Sequence, residues 1–396
     1  MLPYDDALQA VLKTVQPLNP CEISTTDAGG LVLAEIARAQ WDMPRCDNSA
    51  MDGYAISGQS IALDSPLEII GAAYAGHPLA ETVPTGHAIR ITTGAALPQG
   101  TDTVIPVEDT KEDAGQLHIQ APVSAGQHVR QQSEEFQSGE QLLSAGTLLQ
   151  AGEISLLACA GVARVKVYPR PRVAIISTGD ELVELGETPE FGQSINSNLH
   201  FLTTRLQECG CEPSCIGISK DNTKSLEHCF AQALGADMII STGGVSVGER
   251  DQVQATLDRH SFEKIFWKAA IKPGKPILFG LLENKPYFGL PGNPAATAGT
   301  FEIFVKPALK KMTGQTNCHL QKRSGILTGE VKGGGNRQLF LWCQLEWSND
   351  QYEITVRSNQ DSGQNRGLQG AKALLSVPVG TTHIAQGEHV EVLLLE

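Results

Sequence analysis

Met238-Ile-Ile-Ser-Thr-Gly-Gly-Val-Ser-Val-Gly-Glu-Arg-Asp251 is the stretch of sequence that decides the fold. Its short, branched apolar run ends in glycines, which predicts a buried strand followed by a tight loop. A second strand, Tyr287–Leu290, leads into Leu290-Pro-Gly-Asn-Pro294 and then into a helical pattern over Ala295–Met312. A strand, a glycine-rich turn and a helix together place backbone N–H groups against an anion. Ligands of open parallel sheets lie outside the carboxyl ends of the strands, so these loops and Lys272-Pro-Gly-Lys-Pro276 should share one crevice.

The end of the first strand is repeated upstream, because Ile175-Ile-Ser-Thr-Gly179 matches Ile239-Ile-Ser-Thr-Gly243. Asp180 and Glu181 follow the upstream copy, and a third candidate strand, Cys215–Ser219, delivers Asp221 to the same edge. Three lysines oppose these carboxylates, namely Lys268, Lys272 and Lys275. Lysine binds phosphate, and carboxylates hold a hard divalent cation through oxygen. The crevice therefore suits a phosphate ligand together with a divalent cation.

Each of these features also has a plain structural interpretation. A Gly-Gly turn is often only a turn, and Lys272–Pro276 also fits a solvated turn. Glu181 and Asp221, taken singly, fit carboxylates that begin or cap helices. Only their joint placement at strand ends favours a functional site.

Composition limits the classes of function that the chain can have. Its 396 residues predict two to four domains. Thirty Lys and Arg against 44 Asp and Glu give a net charge of −14, which argues against a nucleic-acid partner. The N-terminus lacks the pattern of a signal peptide, and no apolar run approaches the length of a membrane span. We therefore expect a cytoplasmic protein without a membrane partner.

The pattern changes several times along the chain. Helices are predicted over Asp5–Val15, Thr26–Ala39, Ile154–Gly161, Asn198–Cys209, Asn222–Leu234 and Ala295–Met312. Short alternating runs between Ile56 and Leu143 predict a small antiparallel β domain. Pro169-Arg-Pro171 marks a boundary, after which strands alternate with helices up to Gly314 and predict a parallel sheet. The chain after Gly314 is predicted to form five strands of a small sandwich or barrel, whose role we expect to be packing or support of a dimer.

Met43–Ala55 is a polar loop without periodicity. Asp47, Asn48, Ser49 and Asp52 place four oxygen-bearing side chains in six positions. These residues fit Asx turns that cap one another as well as they fit a ligand site. Downstream, Thr93 in Arg90-Ile-Thr-Thr-Gly94 either faces a ligand or closes a turn.

Taken in order, these motifs resemble the MoeA-type molybdopterin molybdenumtransferases, a family that includes the homologous region of gephyrin. The resemblance covers essentially the whole chain, and its motifs are Asn48–Ala55, Arg90–Gly94, Ile176–Leu182, Ser194–Asn198, Ser241–Asp251, Lys272–Pro276 and Leu290–Pro294. It implies a multidomain α/β plus β fold: a MogA-like parallel-sheet α/β domain, a small linking domain, an inserted β domain and a C-terminal β-barrel. The implied segments are an N-terminal helix (1–19) packed on the α/β domain, a linking domain (20–39 and 140–171), a β domain (40–139), the α/β domain (172–319) and a barrel (320–396).

The resemblance implies that the chain inserts molybdate into the dithiolate of adenylylated molybdopterin in the presence of Mg²⁺ and releases AMP. It implies a homodimer whose active site lies in a cleft shared between subunits. It also implies contacts with molybdopterin adenylyltransferase and with downstream maturation factors of molybdoenzymes. Two alternatives remain open, a molybdopterin adenylyltransferase of the MogA kind and a non-catalytic molybdopterin-binding scaffold.

The resemblance also assigns roles to individual residues. The catalytic residues are Glu181, Asp221, Lys268, Lys272, Lys275 and Asp52. The metal ligands are Asp180, Glu181, Asp221 and Asp251. The substrate-binding residues are Thr93, Arg130, Ser177, Thr178, Gly179, Gly243, Gly244, Ser246, Gly248, Pro291, Gly292, Asn293 and Pro294. Asp52, Thr93 and Arg130 match positions that reach the cleft from the partner subunit.

Two positions depart from the family pattern. Glu135 follows Glu134 where the family often has aspartate, and Trp342 stands where a basic residue is usual.

Overall fold

A computed structural model describes residues 1–63, 65–245, 252–358 and 360–395. The chain forms two compact units. The first contains Met1–Cys21, Gly30–Ala34 and Val167–Glu396, and the second contains Glu22–Gly29 and Glu35–Lys166.

The described residues form seven α-helices, and a π-helical stretch at Phe301–Val305 joins the last two. The helices are α1 Tyr4–Thr14, α2 Ala151–Cys159, α3 Ser197–Glu208, α4 Thr223–Ala233, α5 Gln252–Leu257, α6 Pro294–Thr300 and α7 Lys306–Met312. No helix in this described part of the chain has the length and apolar character needed to cross a membrane.

The strands fall into three groups along the chain. Those before residue 170 are β1 Cys21–Ser24, β2 Val32–Leu33, β3 Ala37–Arg38, β4 Asn48–Ser49, β5 Gly53–Ile56, β6 Leu67–Ala73, β7 His87–Ile91, β8 Thr103–Pro106, β9 Thr110–Asp113, β10 Gln116–Ile119, β11 Val129–Arg130, β12 Gln141–Leu143 and β13 Arg164–Tyr168. The α/β segment holds β14 Arg172–Thr178, β15 Leu182–Val183, β16 Ser194–Ile195, β17 Glu212–Ser219, β18 Met238–Thr242, β19 Phe262–Trp267, β20 Ile271–Lys272, β21 Leu278–Leu282 and β22 Lys285–Leu290. The last group is β23 Lys322–Leu327, β24 Val331–Lys332, β25 Gln338–Ser348, β26 Gln351–Val356, β27 Ala373–Val377, β28 His383–Ile384 and β29 His389–Leu394.

The central sheet of the first unit has the strand order β17-β14-β18-β22-β21-β19. The first four strands are parallel, as the sequence predicts, whereas β21 and β19 extend the sheet in antiparallel fashion. Val173 and Ile175 of β14 belong to one core cluster, and Ala174 and Ile176 belong to the cluster on the opposite face. The strand is a continuous apolar run because both of its faces are buried.

Helix α1 packs on this α/β core through one apolar face. Ala7, Leu8 and Val11 are buried in the same cluster as Phe304 of the π-helical stretch. The Tyr4 ring lies 5.6 Å from that of Phe304 and 5.0 Å from that of Phe340, measured between centroids. Since Phe340 belongs to β25, the cluster also joins the core to the last group of strands.

The last group contains a closed five-stranded barrel, because β25-β26-β23-β29-β27 returns to β25. Leu339, Leu341 and Cys343 of β25 point into the barrel core, whereas Phe340 and Trp342 belong to the α/β cluster. Trp342 is therefore a core residue, and a basic side chain at this place would be buried among apolar groups. Outside the barrel, β20 pairs in parallel with β25.

The second unit contains a six-stranded sheet of order β8-β5-β7-β6-β10-β9. The prediction of a small antiparallel β domain is wrong at one strand pair of this sheet, since β6 and β7 are parallel. The connection over residues 74–86 is long enough for the crossover that a parallel pair requires.

The prediction of a helix over Thr26–Ala39 is also wrong. This stretch forms a 3₁₀ turn and the strands β2 and β3. Gly30 has a φ of +78°, which a continuing helix does not accommodate, and the two short strands pair with β13 and β12, respectively.

Candidate functional site

The loops after β14, β17, β18 and β22 surround one cavity of about 590 Å³ in the first unit. Its walls are Thr178, Gly179, Glu181, Leu182, Ser194–Asn198, Asp221, Thr242–Gly244, Gly292–Pro294 and Gly363. The structure therefore brings together most of the residues that the repeated strand ends identify. The loops meet because the strands that they follow are parallel neighbours.

Glycine at 243 and 244 lets these strand ends approach closely. Gly243 has a φ of +85°, and a Cβ there would lie 2.6 Å from the carbonyl oxygen of Thr178. The Thr178 hydroxyl donates to the carbonyl of Thr242 at 3.1 Å, and the Gly243 N–H donates to that of Leu290 at 3.1 Å. Any side chain at 243 would push β14 and β18 apart at the cavity wall.

Two carboxylates, those of Glu181 and Asp221, belong to residues that line the cavity. Asp180 is exposed, and its Oδ1 accepts the Asp221 N–H at 3.2 Å. The described residues contain no cluster of three or more His, Cys, Asp or Glu side chains of metal-site geometry. Two carboxylates nevertheless fit Mg²⁺, which commonly takes one or two carboxylates and completes its shell with waters and substrate phosphates.

Ser177 does not line this cavity, although Thr178 and Gly179, which follow it in the motif, do. Side chains of a strand alternate, so Ser177 shares the face of Val173 and Ile175. Ser177 is fully buried, and its hydroxyl has no hydrogen-bond partner among the described residues.

A second cavity, of about 410 Å³, adjoins the first, because Asn293 lines both. Three cationic residues line it, namely Lys272, Lys275 and Arg337, and Asp361 is the one acidic residue among its described walls. Lys272 and Arg337 come together because β20 pairs with the start of β25, where Lys272 lies opposite Leu339. An excess of cationic groups around a small cavity favours an oxyanion.

The barrel segment contributes more to the site than the sequence predicts. Gln360, Asp361 and Ser362 line the second cavity, and Gly363 lines the first. The Ser362 hydroxyl lies 2.9 Å from Asn293 Nδ2 and accepts its hydrogen bond. Arg337 and this loop are functional candidates that sequence reasoning missed, because only the tertiary fold joins them to the α/β loops.

Pro291 and Pro294 hold the loop between the two cavities. The carbonyl oxygen of Pro291 accepts from the Thr297 hydroxyl at 2.5 Å, and Pro294 occupies the first turn of α6. Proline is suited to that place because the first helical N–H groups have no partner within the helix.

Lys268 differs from the other two predicted lysines. Its ammonium lies 3.6 Å from the centroid of the Trp267 ring, a cation–π contact, and Lys268 lines neither cavity. Three other predicted site residues, Ser246, Gly248 and Asp251, lie outside the described residues.

Of the three site residues predicted in the second unit, Arg130 lines a cavity, and Asp52 and Thr93 do not. Arg130, Glu134 and Glu135 line a cavity of about 810 Å³ together with Asn48 and Gly94. Arg130 lies there because β11 pairs with β4, opposite Asn48.

Asp52 and Thr93 are hydrogen-bonded to each other in the second unit. Asp52 Oδ1 accepts from the Thr93 backbone N–H at 2.7 Å and from its hydroxyl at 3.0 Å. These two hydrogen bonds lower the pKa of Asp52 below its ordinary value, and the one from the backbone N–H has the larger effect. Both hydrogen bonds therefore stabilise the charged carboxylate form of Asp52.

We expect Thr93→Val to raise the pKa of Asp52 partway towards its ordinary value. The substitution removes the hydroxyl donor and keeps the N–H, and a hydrogen bond to the charged form is what depresses the pKa. The carboxyl ¹³C shift of Asp52, followed by NMR from pH 7 downwards, measures the change. Any stability from this pair is present above the ordinary pKa of aspartate and is lost as pH falls through the depressed pKa. Thr92→Val is the control, and an Asp52 titration that is the same in both variants would contradict the assignment.

Comparisons with known proteins cover the whole chain. Three family descriptions match it: the MoeA N-terminal region (domain I and II) over residues 2–161, the probable molybdopterin binding domain over 174–311 and the MoeA C-terminal region (domain IV) over 324–395. A molybdopterin molybdenumtransferase of Nostoc sp. is 37% identical over 93% of this chain and 87% of its own length. One from Haemophilus influenzae is 37% identical over 90% and 89%. The crystal structure of a molybdopterin biosynthesis MoeA protein from Pyrococcus horikoshii is 29% identical, covers 100% of this chain and 99% of its own, and has a TM-score of 0.87.

Proposed function

Because the chain belongs to the MoeA family of molybdopterin molybdenumtransferases, we propose that it inserts molybdate into the dithiolate of adenylylated molybdopterin and releases AMP. The observation that carries this proposal is the pair of adjoining cavities. One combines glycine-rich turns with two carboxylates, and the other is lined by three cationic residues. A pyrophosphate-containing substrate and a separate oxyanion require such a pair.

The larger cavity is proposed to bind the adenylylated molybdopterin. Its Gly243-Gly244 turn carries no side chains, so phosphate oxygens can approach the backbone closely. The Gly244 N–H is the proposed donor there, because the Gly243 N–H already donates to the carbonyl of Leu290. Glu181 and Asp221 would hold Mg²⁺, whose chemistry is to neutralise the charge that develops on the phosphate of the leaving group. Without a cation between them, these two carboxylates would repel the pyrophosphate.

The smaller cavity is proposed to bind molybdate, the second substrate. Lys272, Lys275 and Arg337 supply the positive charge that a tetrahedral dianion requires, and Asn293 and Ser362 supply neutral polar groups. Because Asn293 lines both cavities, the loop that carries it would hold the two substrates side by side.

A homodimer with an active site shared between subunits is the proposed working form. Asp52, Thr93 and Arg130 would act in that site from the partner subunit. Molybdopterin adenylyltransferase and molybdoenzyme maturation factors are the proposed contacts on either side of the reaction. Sedimentation equilibrium tests the dimer, and a mixture of Asp52→Ala with Glu181→Gln chains tests the sharing, since mixed dimers should regain one intact site.

The direct test follows AMP release and molybdenum bound to the pterin dithiolate in one reaction. It uses purified protein, adenylylated molybdopterin, Mg²⁺ and molybdate. Both products should appear together and should depend on molybdate. Consumption of ATP would favour the adenylyltransferase alternative, and binding without cleavage would favour the scaffold.

A further inference from the structure

The side chain of Gln360 bonds the backbone of β25 just beyond the end of β26. Strand β26 ends at Val356, which lies opposite Cys343 of β25. Trp342 is the residue before Cys343, and Gln360 Oε1 accepts its N–H at 3.1 Å while Gln360 Nε2 donates to its carbonyl at 3.0 Å. The same Nε2 donates to the Arg357 carbonyl at 3.0 Å. Gln360 therefore fixes the chain that leaves β26 onto the neighbouring strand.

These contacts use both N–H donors of the Gln360 amide. A glutamine amide has two donors on its nitrogen, and the two carbonyls that Nε2 faces are backbone groups of the protein. Gln360 is among the residues that line the smaller cavity. Its amide nevertheless has only oxygen lone pairs left to offer there, and an oxyanion is bound by donors. Any part that Gln360 takes in binding molybdate is therefore indirect.

The two residues that follow Gln360 form a wall of the smaller cavity. Both Asp361 and Ser362 line it. The Ser362 carbonyl accepts the Ala295 N–H at 2.9 Å, and the Ser362 hydroxyl accepts from Asn293 Nδ2 at 2.9 Å. Since Ala295 lies in the first turn of α6, the segment is held at both ends, by Gln360 on β25 and by Ser362 at the start of α6.

We propose that Gln360 is a positioning residue for the molybdate site, which it keeps in shape by fixing the segment from Gln360 to Ser362 as a wall of the smaller cavity. The proposal rests on the proposed function and deepens it. Arg337 directly precedes β25, so the Gln360 amide ties the wall that carries Ser362 to the strand next to a cationic wall. A tetrahedral dianion is bound well only when the donors around it are held at fixed positions.

Gln360→Met tests this role. Methionine has nearly the same length, adds no charge and makes none of the three hydrogen bonds. We expect the KM for molybdate to rise about tenfold, the net worth of one to two hydrogen bonds, because the wall is then held at one end only. The kcat at saturating molybdate should fall less than about threefold, since the reacting groups themselves are unchanged. Initial rates of molybdenum insertion at increasing molybdate concentrations separate the two constants.

The larger cavity provides an internal check on the same variant. Gln360 does not line that cavity, so the Kd of Gln360→Met for adenylylated molybdopterin should stay within about twofold of the wild-type value. Calorimetric titration with Mg²⁺ and without molybdate measures it. If the Kd rises as much as the KM for molybdate, the substitution disturbs the whole first unit, and a specific role in the molybdate site is wrong.

Thr328→Val is the matched control in the same barrel. The Thr328 hydroxyl donates to the Ile354 carbonyl at 3.2 Å and lies 2.8 Å from the Thr355 hydroxyl, and Thr328 lines neither described cavity. Its substitution also removes side-chain hydrogen bonds beside β26, and we expect the KM for molybdate to change less than about twofold. An equal rise of KM in both variants would show a general loosening of the barrel and would overturn the proposal.

A double variant tests whether Gln360 acts through Ser362. Residues that act in one network have effects that do not add. In a Ser362→Ala background, we expect Gln360→Met to raise the KM for molybdate less than about threefold, well below its effect in the wild-type protein. If the two effects simply multiply, Gln360 and Ser362 act independently and the positioning role is wrong.

Two further outcomes separate this inference from the function on which it rests. If the wild-type protein inserts molybdenum and Gln360→Met has the same KM for molybdate, the proposed function stands and the inference is wrong. If the wild-type protein releases no AMP in the presence of molybdate, the proposed function fails, and this inference fails with it.

Discussion

Lys272→Gln is expected to lower the rate of molybdenum insertion by about a hundred- to a thousandfold, the range found when one donor to a reacting oxyanion is removed. Lys272 is one of three cationic residues around the smaller cavity, and glutamine keeps much of its length without its charge. The defect should lie in the use of molybdate. We therefore expect saturating molybdate to recover part of the rate, while the Kd for adenylylated molybdopterin changes less than threefold.

Lys264→Gln is the control for this experiment. Lys264 lies exposed on β19 in the same unit and lines neither described cavity, so its loss removes the same charge without touching the proposed molybdate site. If the two variants insert molybdenum at the same rate, Lys272 takes no part in the reaction. A loss of substrate binding in Lys272→Gln alone would instead place this lysine on the pyrophosphate.

Local pattern was enough to predict the elements that carry the larger cavity. The apolar runs that end in Ser-Thr-Gly became β14 and β18, and the helix predicted over Asn198–Cys209 is α3 at Ser197–Glu208. These predictions succeed because the signals are local: branched apolar runs, capping residues and glycines. Because the carboxyl ends of parallel strands lie at one edge of the sheet, the loops that follow β14 and β18 are then predicted to meet there.

The features of the site that the sequence did not predict depend on contacts between residues distant in sequence. Arg337 joins Lys272 only through the pairing of β20 with β25. Ser177 belongs to the same motif as Thr178 but points to the opposite face, because a strand alternates its side chains.

The second large expected effect is on stability, and it comes from a cluster of three charged side chains, Arg205, Glu302 and Lys306. Glu302 is 1% exposed, and its two oxygens accept from Arg205 at 2.7 and 3.0 Å. Lys306, also buried, lies 3.6 Å from the same carboxylate. Both cations donate as well to the carbonyl of Leu395 at the end of the last strand. Burial by itself lowers the pKa of Arg205, but the hydrogen bond and charge of Glu302 outweigh it and raise that pKa above its ordinary value.

We expect Glu302→Leu to lower the free energy of unfolding by about 3–5 kcal/mol, since it leaves the buried Lys306 without its anion and the partly buried Arg205 with only the exposed Glu208. Glu208→Gln is the control, because Glu208 pairs with the same Arg205 but its side chain is 52% exposed, and its loss should cost less than about 1 kcal/mol. Differential scanning calorimetry of both variants measures the change. Replacing the charged set together, as Arg205→Met, Glu302→Leu and Lys306→Met, should restore much of the stability, because well-packed apolar groups avoid the cost of buried charge. If Glu302→Leu unfolds like the wild-type protein, or if the triple variant is no more stable than Glu302→Leu, the network does not stabilise the fold in this way.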